Sequence, residues 1–280
     1  MTPLPHSNLS NHGRATPRRG FCSWFAGWMA ILAIGGCGLL PAVVDETANL
    51  TVEQLYKQAH DLMVEGNYTR AIKLFETLEA RYPYGRFAQQ AILELAYANY
   101  RVGETAAAVA ASDRFIRTFP NNPSVDYAYY LKGLVHFRED QGLLGYVYEV
   151  DLAEREPKGM RESFVAFKEL VAKFPDSRYA QDATDRMVYL TNALARYEVN
   201  VARYYFNRGA YVAAVNRAQA AIVGYPRTAA SESALDILAR SYDKLGLVQL
   251  RDDTLGILRQ TFPESIYLAG PVEKPWWKFW

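Results

Sequence analysis

Cysteine is nearly absent: the 280 residues hold two, Cys22 and Cys37. A scaffold of disulfides is thereby excluded. Excess charge of one sign is missing too, with 31 basic against 30 acidic residues. Binding driven by phosphate neutralisation needs a basic surplus, so no nucleic-acid partner is expected. Histidine is scarce, at positions 6, 12, 60 and 136, and no two stand four apart as in a zinc-binding helix. The sequence also lacks a Gly-x-x-x-x-Gly-Lys-Ser/Thr loop, a Gly-x-Ser-x-Gly elbow and a dinucleotide fingerprint. The acids Glu149, Asp151, Glu154 and Glu156 cluster without an apolar setting to split their pKa values, and read as a solvated loop. No enzyme, metal or cofactor is expected.

What is present begins with export. Arg14, Arg18 and Arg19 precede an apolar stretch from Phe21 to Gly36, with no acid before Asp45. That order of charge, apolar run and small residues is a bacterial export signal. Ile34-Gly35-Gly36-Cys37 resembles the lipobox of bacterial lipoproteins. The resemblance implies cleavage before Cys37, a diacylglycerol on its sulfur and an acyl chain on its new amine. Residues 21–40 also reach the ~20 that a spanning helix needs, and either reading exports the body of the chain. Gly38 replaces the aspartate that holds lipoproteins at the inner membrane in enteric-type bacteria. The inner leaflet of the outer membrane, facing the periplasm, is therefore expected. Removing residues 1–36 takes three basic residues and no acid, leaving a net charge of about −2.

Five tripeptides share one form: Arg81-Tyr82-Pro83, Thr118-Phe119-Pro120, Lys173-Phe174-Pro175, Gly224-Tyr225-Pro226 and Thr261-Phe262-Pro263. Seventeen residues before four of these prolines stands a glycine: Gly66, Gly103, Gly209 and Gly246. Glycine at a helix–helix turn accepts backbone angles that other residues resist, and proline ends the second helix. Each unit is thus a helix, a glycine turn and a second helix of about four turns. This resembles the tetratricopeptide repeat, best in Gly66, Tyr68, Ala71, Phe75 and Pro83. Small Ala59, Ala96, Gly133, Ala202 and Ala239 fall where the paired helices should cross. The third unit carries an insertion, 141–158. The fourth has no Pro or Gly from Ser177 to Asn207, which predicts one long first helix of roughly 45 Å.

The expected fold is all-α, a right-handed superhelical solenoid of about five tetratricopeptide-like helix pairs with a concave groove. Such pairs bury a shared apolar seam only by stacking. The expected organisation is a signal at 1–36, a lipidated linker at 37–50, repeats one to three at 51–175, repeats four and five at 176–265, and a Trp-rich tail at 266–280.

Several stretches go beyond a generic repeat. They are Arg81 to Gln90 with Tyr97-Ala-Asn-Tyr100, Asn122 to Tyr130, Asp182-Ala183-Thr184, Ala202 to Tyr205, and Arg208 to Arg217. Together they resemble the BamD family, the YfiO- or ComL-like lipoproteins of the β-barrel assembly machinery, over roughly residues 34–265. The resemblance implies a non-enzymatic scaffold and receptor. It implies docking of the C-terminal repeats on the last periplasmic domain of BamA, attachment of other Bam lipoproteins, and recognition of unfolded outer-membrane β-barrel proteins by the N-terminal repeats. Matching the Arg-Gly-Ala-Tyr to Asn-Arg stretch puts Arg208 and Arg217 at the BamA contact. Tyr68, Tyr82, Tyr84, Phe87, Tyr97 and Tyr100 are the expected lining of a groove for a short, aromatic-ended signal. The segment Lys274 to Trp280 departs from the family pattern and is suited to a membrane interface, a partner or the groove itself, or else is a loose end that packs on the last helix. The alternative function is a repeat lipoprotein that coordinates peptidoglycan or other cell-envelope machinery.

Overall fold

The computed structural model describes residues 47–139 and 156–268. The chain divides into two compact units, Met1–Asn49 and Leu50–Trp280. Of the first, only the turn at 47–49 is described. The export signal, Cys37, the body of the insertion with Glu149, Asp151 and Glu154, and the Trp-rich segment from Lys274 lie outside the described residues.

The second unit is helical throughout its described length, as expected. Among the described residues ten α-helices follow in order: α1 Val52–Val64, α2 Tyr68–Arg81, α3 Arg86–Val102, α4 Thr105–Thr118 and α5 Val125–Glu139. Then come α6 Lys158–Lys173, α7 Ala180–Asn207, α8 Tyr211–Gly224, α9 Ala230–Lys244 and α10 Val248–Thr261, with a short 3-10 turn at Ile266–Leu268. Each helix packs on the next, and α1 on α3, α3 on α5 and α7 on α9. That is a solenoid of tetratricopeptide-like pairs.

The local chemistry explains the regularity. Thr51 and Gln54 form a reciprocal cap at the start of α1, with bonds of 3.3 and 3.0 Å. Gly66, Gly103, Gly209 and Gly246 all take positive φ, between 72° and 87°, in the turns between paired helices. Tyr82, Phe119, Phe174, Tyr225 and Phe262 each leave the helix at φ near −130° and ψ near +65°. A following proline disfavours the helical conformation. Each aromatic nonetheless keeps its N–H on the carbonyl four residues back, at 2.8 to 3.1 Å.

Packing repeats as well. Five residues before each proline stand Leu78, Phe115, Leu170, Ala221 and Leu258, all buried. Burying such a leucine or phenylalanine contributes ~1.5–3 kcal/mol. The small residues expected at the crossings are there: Ala59, Ala96, Ala202 and Ala239 are buried. Gly133 lets the Phe167 ring approach so closely that a Cβ would lie 2.3 Å from it. Ser163 reaches the Gly133 carbonyl at 2.9 Å. Ion pairs link successive pairs: Arg114 with Glu79 at 2.8 Å, Lys132 with Asp113 at 2.7 Å and Arg161 with Glu198 at 3.3 Å. Helix α7 has 28 residues, about 42 Å at 1.5 Å per residue. His136 pairs with Glu162 at 3.2 Å between α5 and α6.

Candidate functional site

Tyrosines far apart in the sequence meet in a ladder of rings. Tyr68 opens α2 just after the Asn67 cap and meets Tyr97 edge-on, with centroids 6.3 Å apart. Tyr97 lies 6.3 Å from Tyr100 one turn on. Arg101, in the last turn of α3, sits 4.6 Å above the Tyr68 ring and donates to the Tyr97 hydroxyl at 2.6 Å. That bond, outweighing burial, raises the already high pKa of Arg101. A fixed cation is thus framed by aromatic faces.

The ladder continues into the next pairs. Tyr127 of α5 packs in the same apolar cluster as Tyr97 and Tyr100, and lies 5.4 Å from Tyr179. Tyr179 stacks on Tyr130 at 4.7 Å and 16°. Leu93, Tyr97, Tyr127 and Tyr179 line a cleft of about 510 Å³ whose polar rim includes Asp126 and Arg178. Arg178 lies over the Tyr179 ring at 4.7 Å and donates to its hydroxyl. The Ser177 hydroxyl donates to the Asp126 carboxylate at 2.7 Å, pinning the loop before α7 to the start of α5. The Tyr130 hydroxyl donates to Asp182 at 2.6 Å, and so does Arg186.

Burial is what shifts these tyrosines. Tyr127 is pushed up mainly by burial, with neighbouring tyrosines adding to it. Tyr130 is pushed up to about 12 by burial and by its bond to Asp182. Burial pushes Asp182 upward, but the bonds from Arg186 and Tyr130 outweigh it and hold the carboxyl below its ordinary value. At neutral pH the Tyr127 and Tyr130 hydroxyls therefore stay protonated, and the Asp182 carboxyl stays ionised beside Arg186. The ladder can stack on apolar or aromatic side chains and hydrogen-bond an extended backbone.

Of the six residues expected to line one groove, the structure gathers Tyr68, Tyr97 and Tyr100. The other three lie elsewhere. Phe87 stands ten residues before Tyr97, about 15 Å lower on α3. There it packs on Tyr56 at 5.3 Å, with Arg86 over its ring. Tyr56 in turn donates to Glu94 at 2.6 Å and stacks on His60. Tyr82 caps α2 and its hydroxyl reaches the Leu50 carbonyl at 3.5 Å. Tyr84 is 87% exposed in the loop before α3. Tyr127, Tyr130 and Tyr179 belong to the ladder although the sequence reading did not place them there. Tyr127 and Tyr130 stand in the tyrosine-rich run Tyr127-Ala128-Tyr129-Tyr130, whereas Tyr179 belongs to no such run.

The two arginines at the other end differ from each other. Arg217 of α8 donates to Glu198 of α7 at 3.0 Å, and Arg161 of α6 reaches the other oxygen of the same carboxylate at 3.3 Å. The Glu198 side chain is only 5% exposed, while that of Arg217 is 45% exposed. The bond raises the Arg217 pKa further. One of its five donors is used, and the exposed remainder faces solvent. Arg208 ends α7 and lies 5.3 Å from the exposed Tyr204 ring. Among the described residues no helix is long and apolar enough to cross a membrane.

Comparison with known proteins agrees with this architecture. A family model described as YfiO, outer membrane lipoprotein, matches residues 48–256. A Neisseria meningitidis protein named outer membrane protein assembly factor BamD is 47% identical over 256 residues, 89% of this chain and 96% of the relative. Relatives of the same name from Xylella fastidiosa and Vibrio cholerae are 39% and 33% identical. They cover 80% and 84% of this chain, and 77% and 96% of their own lengths. The chain therefore belongs to the YfiO family of outer membrane lipoproteins.

Proposed function

We propose that this chain is a non-enzymatic assembly factor for outer-membrane β-barrel proteins, held by lipid on Cys37 at the inner leaflet of the outer membrane. Its C-terminal pairs dock on the periplasmic domain of BamA beside other Bam lipoproteins. Its N-terminal pairs receive unfolded β-barrel proteins. The observation that carries the reading is the ladder from Tyr68 through Tyr97, Tyr127 and Tyr179 to Tyr130, with its adjoining cleft. An unfolded barrel strand presents alternating apolar and aromatic side chains on an extended backbone. Tyrosine rings supply flat apolar area, and their hydroxyls and the nearby arginines supply polar partners. Relatives that share most of the length of the chain are named assembly factors, which supports the same role here.

At the other end, Arg217 offers its remaining donors to a carboxylate, and Arg208 on Tyr204 offers a second cation. Both would suit an acidic edge of BamA.

Two measurements test the proposal in cells. A photo-crosslinking amino acid at Leu93, on the cleft wall, should trap nascent outer-membrane proteins. Mild detergent extraction of the tagged chain should recover BamA. Recovery of cell-wall enzymes without BamA would favour the envelope-scaffold alternative and end this reading.

A further inference from the structure

A third surface lies on α10 and belongs to neither of these. Helix α10 packs on α9 and buries Thr254 and Leu258. Among the described residues no further α-helix follows to cover it. Leu247, Leu250, Thr254 and Ile257 recur at steps of three, four and three residues, which sets them in one stripe along the helix. Leu250 and Ile257 are 45% and 53% exposed. Comparison with the other pairs shows that stacking does not ask for them. They stand thirteen and six residues before Pro263. In the four earlier pairs those positions hold Arg70 and Thr77, Ala107 and Arg114, Glu162 and Glu169, and Ala213 and Ala220. Large apolar side chains at this register belong to the last pair, where their contact with water is unfavourable unless something covers them.

The chain carries a suitable cover. Residues 269–280 follow the 3-10 turn and hold Trp276, Trp277, Phe279 and Trp280, with Glu273, Lys274 and Lys278 as their charges. Their starting point suits a return along α10. Tyr267 of the turn shares a hydrogen bond with Ser233 at 2.9 Å, near the start of α9. A short turn joins α9 to α10, so the start of α9 lies beside the end of α10. Helix α10 has 14 residues, about 21 Å at 1.5 Å per residue. Twelve extended residues reach about 40 Å at 3.3 Å each, enough to run back along the whole helix. Charge agrees as well. Asp253 borders the stripe, three residues after Leu250 and four before Ile257, and accepts from the neutral amide of Gln249 at 2.9 Å. We infer that residues 274–280 fold back over Leu250 and Ile257, with their lysines facing Asp253, and cap the stack. The inference concerns the chain alone, so it stands or falls apart from the docking of BamA.

The test uses the full chain in mild detergent, carrying W24F and W28F, so that Trp276, Trp277 and Trp280 are its only tryptophans. Their emission then reports the setting of the tail directly. It should lie to the blue of the urea-unfolded chain. L250D/I257D should move it to the unfolded position, and K274E/K278E should move it part of the way. Adding D253K to K274E/K278E should restore the parent emission. Circular dichroism melts check that each variant folds, and L250S/I257S serves if the aspartates melt early. A photo-crosslinking amino acid at Ile257 should join to residues 269–280 of the same chain. Emission that stays blue in L250D/I257D would put the tryptophans in detergent or elsewhere on the chain, and overturns the inference. So does parent emission already at the unfolded position, or a crosslink from Ile257 that reaches only a second copy.

Discussion

Gly133→Ala tests how tightly the helices of the third pair cross. A Cβ at this position would lie 2.3, 2.4 and 2.7 Å from three carbons of the Phe167 ring. Favourable carbon contacts begin near 3.5 Å, so the ring must retreat by more than 1 Å. It has little room to retreat, because Phe167 is fully buried in one apolar cluster with Met160 and Leu170, both also fully buried. Overpacking of this kind costs up to about 3 kcal/mol. Alanine recovers about 1 kcal/mol of helix propensity over glycine. The expected net loss is about 2 kcal/mol, or ~4–8 °C in melting temperature for a body of this size. Urea unfolding followed by far-ultraviolet circular dichroism reads the midpoint directly. Gly133→Ala with Phe167→Leu should lose less than the two single losses together, since the leucine vacates the clashing space. A Gly133→Ala chain as stable as the parent would refute the steric argument, because propensity alone would then decide the outcome.

Other expectations follow from the same contacts. Tyr97→Ala with Tyr127→Ala should cut crosslinking of unfolded barrel proteins from Leu93 several-fold; unaltered yield would separate the ladder from recognition. Glu198→Gln should release Arg161 and Arg217 from their shared carboxylate and lower the urea midpoint. Removing a buried partner from two cations costs about 3 kcal/mol or more, which partial exposure of both arginines reduces. Asp182 has a folded pKa below its unfolded value near 3.9. Its stabilisation is therefore present above that value and fades as pH falls through the folded pKa. The melting difference between parent and Asp182→Asn should stay level from pH 7 to about 5 and shrink below about 4. Cys37→Ser should abolish metabolic labelling with an alkyne fatty acid and release the chain from membranes; continued labelling would count against lipid at that cysteine.

The helical pairs were legible because their punctuation is local. Glycine at positive φ and an aromatic before proline act within a few residues, so Gly66 with Pro83 and Gly246 with Pro263 mark a turn and a stop wherever they occur. The long α7 was legible for the opposite reason, since nothing between Ser177 and Asn207 interrupts it. The site was only half legible. Tyr127 and Tyr179 are 52 residues apart, and their contact depends on how one pair seats on the next. Composition flags an abundance of tyrosine but not which rings meet. Phe87 went astray because ten residues of rise separate it from Tyr97 on the same helix. Glu198 was invisible for a further reason: a glutamate in mid-helix reads as surface, and only the coordinates reveal the two arginines that let it be buried.

That single carboxylate has a mechanical meaning. Arg161 and Arg217 stand on α6 and α8, on either side of α7, and each grips one oxygen of Glu198. A visiting acidic group that drew Arg217 outward would slacken the α8 grip and tighten the other. An event at the last pairs would then be felt at α6, the helix that follows the insertion, through a side chain that solvent scarcely touches.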